Sequence, residues 1–88
     1  MKKEYRKAVT IEAEQFDGSD EMIIRYQIGV SYGGYVEDKP SYLFTINTLE
    51  GQMSLKVGDW IATGVKDERW AIANDVFNMT YVEVKDGV

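Results

Sequence analysis

Turn-forming pairs cut this chain at short intervals: Asp17-Gly18, Gly33-Gly34, Glu50-Gly51, Gly58-Asp59 and Lys66-Asp67. Glycine reaches positive φ without steric cost, so each glycine-bearing pair reads as the end of an element rather than its middle. The stretches between them are brief and several alternate apolar with polar residues. Antiparallel strands joined by tight turns are what such a pattern can build.

From Ala8 to Phe16, Val9, Ile11 and Ala13 alternate with Thr10, Glu12 and Glu14, as in a half-buried strand whose glutamates face solvent. Asp17-Gly18 ends it. Ser19 can then cap a helix running to Tyr26 or Gln27, with Asp20 and Glu21 near the positive end of its dipole and Met22, Ile23 and Tyr26 inward. The helix is expected to stop by Gly29. Val30 to Val36 reads as two short arms flanking a Gly33-Gly34 hairpin turn, and Pro40 as part of a loop. Further on, Tyr42 to Leu49 and Gln52 to Val57 form a hairpin about Glu50-Gly51, and Trp60 to Val65 and Glu68 to Ile72 a second. Asn74 is placed to cap a helix from Asp75 to Thr80, and Tyr81 to Val84 alternates like a last strand. The expected class is α+β: a curved antiparallel sheet or small open barrel with one main helix and a short C-terminal helix.

A chain of 88 residues buries only about 60 to 65% of its unfolded surface and supports a single core, so residues 1 to 88 are expected to form one domain. With no cysteine and no histidine there are no disulfides, no thiolate or imidazole metal ligands and no histidine base, so neither a metal nor a cofactor is expected. The basic N-terminus lacks the apolar run of a signal peptide and no stretch reaches membrane length, so the protein is expected to be cytoplasmic, without membrane contact. Lys2, Lys3, Arg6 and Lys7 against Glu4 make residues 1 to 7 a +3 arm, leaving −8 for the remainder of a chain whose total is −5. A body of that sign repels phosphate backbones, which disfavours direct nucleic-acid binding.

Catalytic chemistry is then confined to carboxylates, lysines, tyrosines and hydroxyls. None of Ser19, Ser31, Ser41 and Ser54 has a lysine three residues on. Glu12 and Glu14 share a strand face and could flank a water or cation, but so small a domain offers little to desolvate them. The run Asp17 to Glu21 fails as a calcium loop, because Met22 and Ile28 stand where that loop requires glycine and glutamate. No catalytic residue is assigned, and the chain reads as a non-enzyme.

Aromatic residues are the remaining signal. Tyr26, Tyr32, Tyr35 and Tyr42 crowd one part of the chain, and such rings supply stiff contact area with one polar handle at interface centres. Together with Trp70 they are the candidate binding residues, for a protein partner, a second copy of the chain, or a small planar ligand. A nucleotide-like ligand would stack on Trp60, Trp70 or the tyrosines and draw on Arg25, Lys56 or Arg69 for its phosphates.

The ordered blocks Ala8-Val9-Thr10-Ile11-Glu12-Ala13-Glu14-Gln15-Phe16, Thr48-Leu49-Glu50-Gly51-Gln52-Met53, Gly58-Asp59-Trp60-Ile61, Thr63-Gly64-Val65-Lys66 and Asp75-Val76-Phe77 with Thr80-Tyr81 span most of the chain. In them it resembles a family of small proteins from phages and prophages of Gram-positive bacteria. It departs at Ala8, where the family often has proline, and at Ala71 to Asn74, where a YPCKP segment is common. The resemblance carries over no catalytic residue. It implies an accessory protein that occupies a host or defence protein as inhibitor or modulator, one version being an acidic mimic of nucleic acid. The alternative is an oligomeric protein that sequesters a nucleotide-like small molecule.

Overall fold

The computed structural model describes residues 1–6 and 8–85, so Lys7 of the basic arm lies outside the described residues. In chain order the elements are β1 (Glu12–Gln15), α1 (Asp20–Arg25), β2 (Gly29–Val36), β3 (Lys39–Thr48), β4 (Gly51–Leu55), β5 (Trp60–Thr63), β6 (Arg69–Ile72) and α2 (Asn74–Thr80). The α+β class holds. The strands form two antiparallel three-stranded sheets, β1-β5-β6 and β2-β3-β4, instead of one curved sheet or barrel. The chain changes sheet twice: through α1 between β1 and β2, and again between β4 and β5, where Gly58 at φ 99 and the Asp59 carboxylate, which accepts from the Lys56 amide at 2.9 Å, redirect it.

The expected main helix is not found, since α1 has six residues and α2 seven. Capping explains why α1 is short. Ser19 Oγ accepts from the Met22 amide at its start, while at its end Gln27 adopts φ 54, its amide donating to Ile24 O and that of Ile28 to Ile23 O. That paired pattern closes a helix on a left-handed residue and buries the one after it. Ile28 is accordingly buried, so the stop falls at Gln27, ahead of Gly29. In α2 the cap residue is Ala73 rather than Asn74. The Asn74 Oδ1 instead accepts from Trp60 Nε1 at 2.9 Å and from Gln15 and Asn78 at 3.3 Å, tying α2 to β5 and β1. Residues 81–85 are not a strand.

Two further expectations are corrected. The chain does not turn at Gly33-Gly34: β2 runs on to Val36, and the turn is Glu37-Asp38, with both residues at positive φ (51 and 64) as a two-residue hairpin turn requires. Pro40 lies inside β3, opposite Tyr35. It is tolerated because β4 pairs only with Phe44 to Thr48, leaving the other side of β3 bare at Pro40.

Phe16, Met22, Ile28, Ile46, Leu55, Ile61 and Ala71 form the core, with Ile23, Tyr26 and Phe44 packed against it. Register shows how the first sheet meets it. Glu14, Ile61 and Ala71 lie in one cross-strand row, and Ala13, Ala62 and Trp70 in the next. Successive rows face opposite ways, so Glu14 shares the core face and Ala13 the other. That second face is covered too: Ala62 and Ile72 are buried, and Phe77 of α2 stacks on Trp60. The sheet is thus clad on both sides, and the Glu12/Glu14 face is not simply solvated. Among the described residues, no helix is long and apolar enough to cross a membrane.

The αL positions held by side-chain residues are a local cost that glycine relieves. Gln27→Gly and Asp38→Gly should each raise unfolding stability by roughly 0.5 to 1 kcal/mol, read as a higher urea midpoint at constant slope. An unchanged or lower midpoint would show that these side chains make compensating contacts.

Candidate protein-binding face

Beyond Phe44, β3 has β2 on one side and no strand on the other, so the hairpin projects from the body as a two-stranded ribbon. The radius of gyration, 15.5 Å, exceeds the roughly 12 Å expected of a compact chain of this length.

Register on the ribbon is set by a bulge. Tyr32 faces Tyr42 and Tyr35 faces Pro40, so Gly33 and Gly34 together oppose Ser41 alone. The glycines are needed there: Gly34 sits at φ +83, and a Cβ on Gly33 would lie 3.1 Å from Ser41 Oγ and 3.3 Å from Leu43 Cγ. The Ser41 hydroxyl donates to Gly34 O at 3.0 Å and pins the extra residue. In a regular strand, residues three apart point to opposite faces. The inserted residue cancels that alternation and brings Tyr35 to the face of Tyr32. The rings meet edge to face, Tyr32 with Tyr35 at 6.1 Å and with Tyr42 at 6.3 Å between centroids.

These contacts stiffen the ribbon, since a directly opposed aromatic pair contributes about 0.2 to 1 kcal/mol, yet they leave the rings open. Tyr32, Tyr35 and Tyr42 remain 59, 70 and 54% exposed, and Val30 beside them 49%. Leu43 is exposed on the reverse side. The hairpin turn adds Glu37, Asp38 and Lys39 as a charged tip. Three of the five candidate residues therefore converge on one apolar, charge-edged face.

The other two lie elsewhere. Tyr26, at the end of α1, packs on the core and donates its hydroxyl to Glu14 Oε1 at 2.7 Å. Arg25 engages both oxygens of the same carboxylate, at 2.6 and 3.3 Å, and also reaches Glu21. The guanidinium groups of Arg25 and Arg69 lie 5.3 and 4.9 Å from the Tyr26 ring centre. Glu14 is thereby occupied in fastening α1 to β1, which removes it from the pair that could have flanked a water or cation. No group of three or more metal-ligating side chains occurs among the described residues. Trp70 is half-buried on β6, in the row of Ala13 and Ala62, away from the ribbon.

A second concave surface lies on the far side of the first sheet. Phe77 is stacked between Trp60, at 4.1 Å, and Tyr81, at 5.2 Å, and this column walls a groove of about 990 Å³ shared with the N-terminal segment and residues 82–84. Reading the sequence alone missed both the bulge and this column. The first had a signal in Tyr-Gly-Gly-Tyr, where two glycines separate rings that only an inserted residue can place on one face.

Burial, followed by the hydrogen bond to Glu14 and the charge of that carboxylate, pushes the Tyr26 phenol above its ordinary value of 10.0. Folded Tyr26 keeps a proton that the unfolded chain gives up, so this contribution to stability is present below pH 10 and lost as pH rises through the folded value. In an alkaline titration of phenolate absorbance, Tyr26 should ionise late, a contribution absent in Tyr26→Phe and shifted back toward 10 in Glu14→Gln. A wild-type curve matching that of Tyr26→Phe, scaled for one tyrosine, would contradict this. Compared with known protein families, curated proteins and solved structures, the chain matches none.

Proposed function

We propose that this chain is a non-catalytic accessory protein that binds a partner protein, with Tyr32, Tyr35 and Tyr42 at the centre of the contact. The supporting observation is the convergence of three half-exposed or more exposed rings on one face of a projecting ribbon. Stiff aromatic groups with a free hydroxyl suit an interface centre, because little side-chain entropy is lost when they are covered. Glu37 and Asp38 at the tip, on a chain of net charge −5, favour a partner whose contact surface is rimmed by lysine and arginine. In keeping with the phage-family resemblance, the partner is a host or defence protein in the cytoplasm, inhibited or modulated by occupation of a basic surface. A groove that normally holds nucleic acid is one such surface.

A second reading has its own support in the groove beside Trp60, Phe77 and Tyr81, whose volume of about 990 Å³ reaches the upper range of small-molecule sites. None of Arg25, Lys56 and Arg69 lines it; the charged side chains on its wall are Arg6 and Glu83, so a planar ligand there would meet one cation and one carboxylate. One face of Trp60 is covered by Phe77 and its Nε1 is satisfied by Asn74, so the protein partner remains the leading reading.

The test is affinity capture from host cells, followed by alanine substitution of each tyrosine against the captured protein. Tyr32→Ala, Tyr35→Ala or Tyr42→Ala should cost about 2 kcal/mol or more at a central position, roughly 30-fold in Kd, while Tyr5→Ala in the exposed N-terminal segment leaves binding intact. Affinity should also fall steeply with salt. Binding insensitive to all three tyrosines would remove this face. Stabilisation by planar aromatic ligands in a thermal-shift series, lost in Phe77→Ala, would move the reading to the groove.

A further inference from the structure

β2 is an edge strand, and it carries none of the devices that keep an edge from pairing along Gly29 to Tyr32. Lysine, proline, inward charges and bulges are the usual protection. Tyr26 to Val36 is the longest run of the chain without a charged side chain, and the bulge begins only after Tyr32. The other edges differ. β1 carries Glu12 and Glu14, β6 carries Arg69, and β4 packs beside β6.

We propose that β2 pairs with β2 of a second copy, antiparallel and centred on Ser31, joining two three-stranded sheets into one of six strands. The register follows from strand geometry. Antiparallel partners must both turn their amide and carbonyl groups toward each other, so in a two-fold pair a residue meets its own copy. Centring on Ser31 sets Val30 opposite Tyr32 of the second copy, and Tyr32 opposite its Val30. Each is an aromatic ring against a β-branched side chain, one of the favourable cross-strand combinations.

The self-complementary Val30–Tyr32 pairing selects a copy of the same chain as the occupant, and charge permits it here. Two molecules of net charge −5 repel least across a neutral seam, and Tyr26 to Val36 carries no charged side chain. The acidic tips at Glu37-Asp38 lie about six residues either side of the two-fold, hence on the order of 40 Å apart, several Debye lengths in physiological salt. Tyr32, Tyr35 and Val30, 49 to 70% exposed, supply apolar area at the seam. The pairing would set two tyrosine faces side by side. It does not rest on the partner-binding reading, and either can fail without the other.

Sedimentation of the full chain over a concentration series should show a monomer–dimer equilibrium. Ser31 is exposed, so Ser31→Lys and Ser31→Glu leave the fold intact by circular dichroism while placing like charges across the two-fold. Each variant alone should dimerise at least about tenfold more weakly, and an equimolar mixture should recover dimer, because the mixed pair opposes lysine to glutamate. A wild type that stays monomeric to roughly 1 mM overturns the proposal. So does a wild-type dimer that both variants retain, or a mixture no more dimeric than its components.

Discussion

Phe16 holds the two sheets to one another. Its amide donates to Asp59 O and its carbonyl accepts from the Gly58 amide, both at 2.8 Å, extending the pairing of β1 with the chain entering β5. Its ring, 1% exposed, meets Phe44 of β3 edge to face at 5.1 Å. The backbone of this residue thus belongs to one sheet and its side chain to the core face of the other. Truncating such a ring typically costs about 3 to 5 kcal/mol, a large part of the 5 to 15 kcal/mol that holds an ordinary domain together. Neither sheet has an independent core to fall back on, because seven buried side chains serve both.

That economy of apolar volume explains what is exposed. The core reaches β3 as far as Ile46 and Phe44 and covers nothing beyond. The remaining length of the β2–β3 hairpin must order itself, through its positive-φ turn, the Ser41-pinned bulge and the edge-to-face tyrosines. The rings stay open because the fold has no third layer to lay on them. On the first sheet the opposite condition holds, since the core clads one face and α2 the other. The binding surface proposed above and the absence of a buried polar or charged residue among the described residues share one cause, the shortness of the chain.

The acidic residues divide along similar lines. Glu14 is held by Arg25 and Tyr26, and the Asp17 carboxyl is kept below its ordinary range by hydrogen bonding from the Ser19 side chain and then from the Ser19 amide, which donates to it at 2.8 Å. These carboxylates fasten α1. Among the described residues, nothing hydrogen-bonds or pairs with the Glu37 and Asp38 carboxylates, which stand at the ribbon tip where their charge is available to a partner.

What could be read from the residue string was whatever depends on near neighbours. Ser19 as a cap, the inward set Met22, Ile23 and Tyr26, the hairpin about Glu50-Gly51 and the pairing of Trp60 to Thr63 with Arg69 to Ile72 all follow from local propensity and period. The Gly33-Gly34 pair shows where that reach ended. Its capacity for unusual φ was legible, but whether it made a turn or a bulge depended on Ser41 across the ladder, and the better turn formed at Glu37-Asp38 despite its less favourable residues. The same holds for Glu14, whose alternation reads as solvent-facing until Arg25 and Tyr26 arrive from α1, and for the tyrosines, of which three converge and one does not. Periodicity specifies which side of an element a residue takes. What lies against that side is decided only when distant segments share one small core.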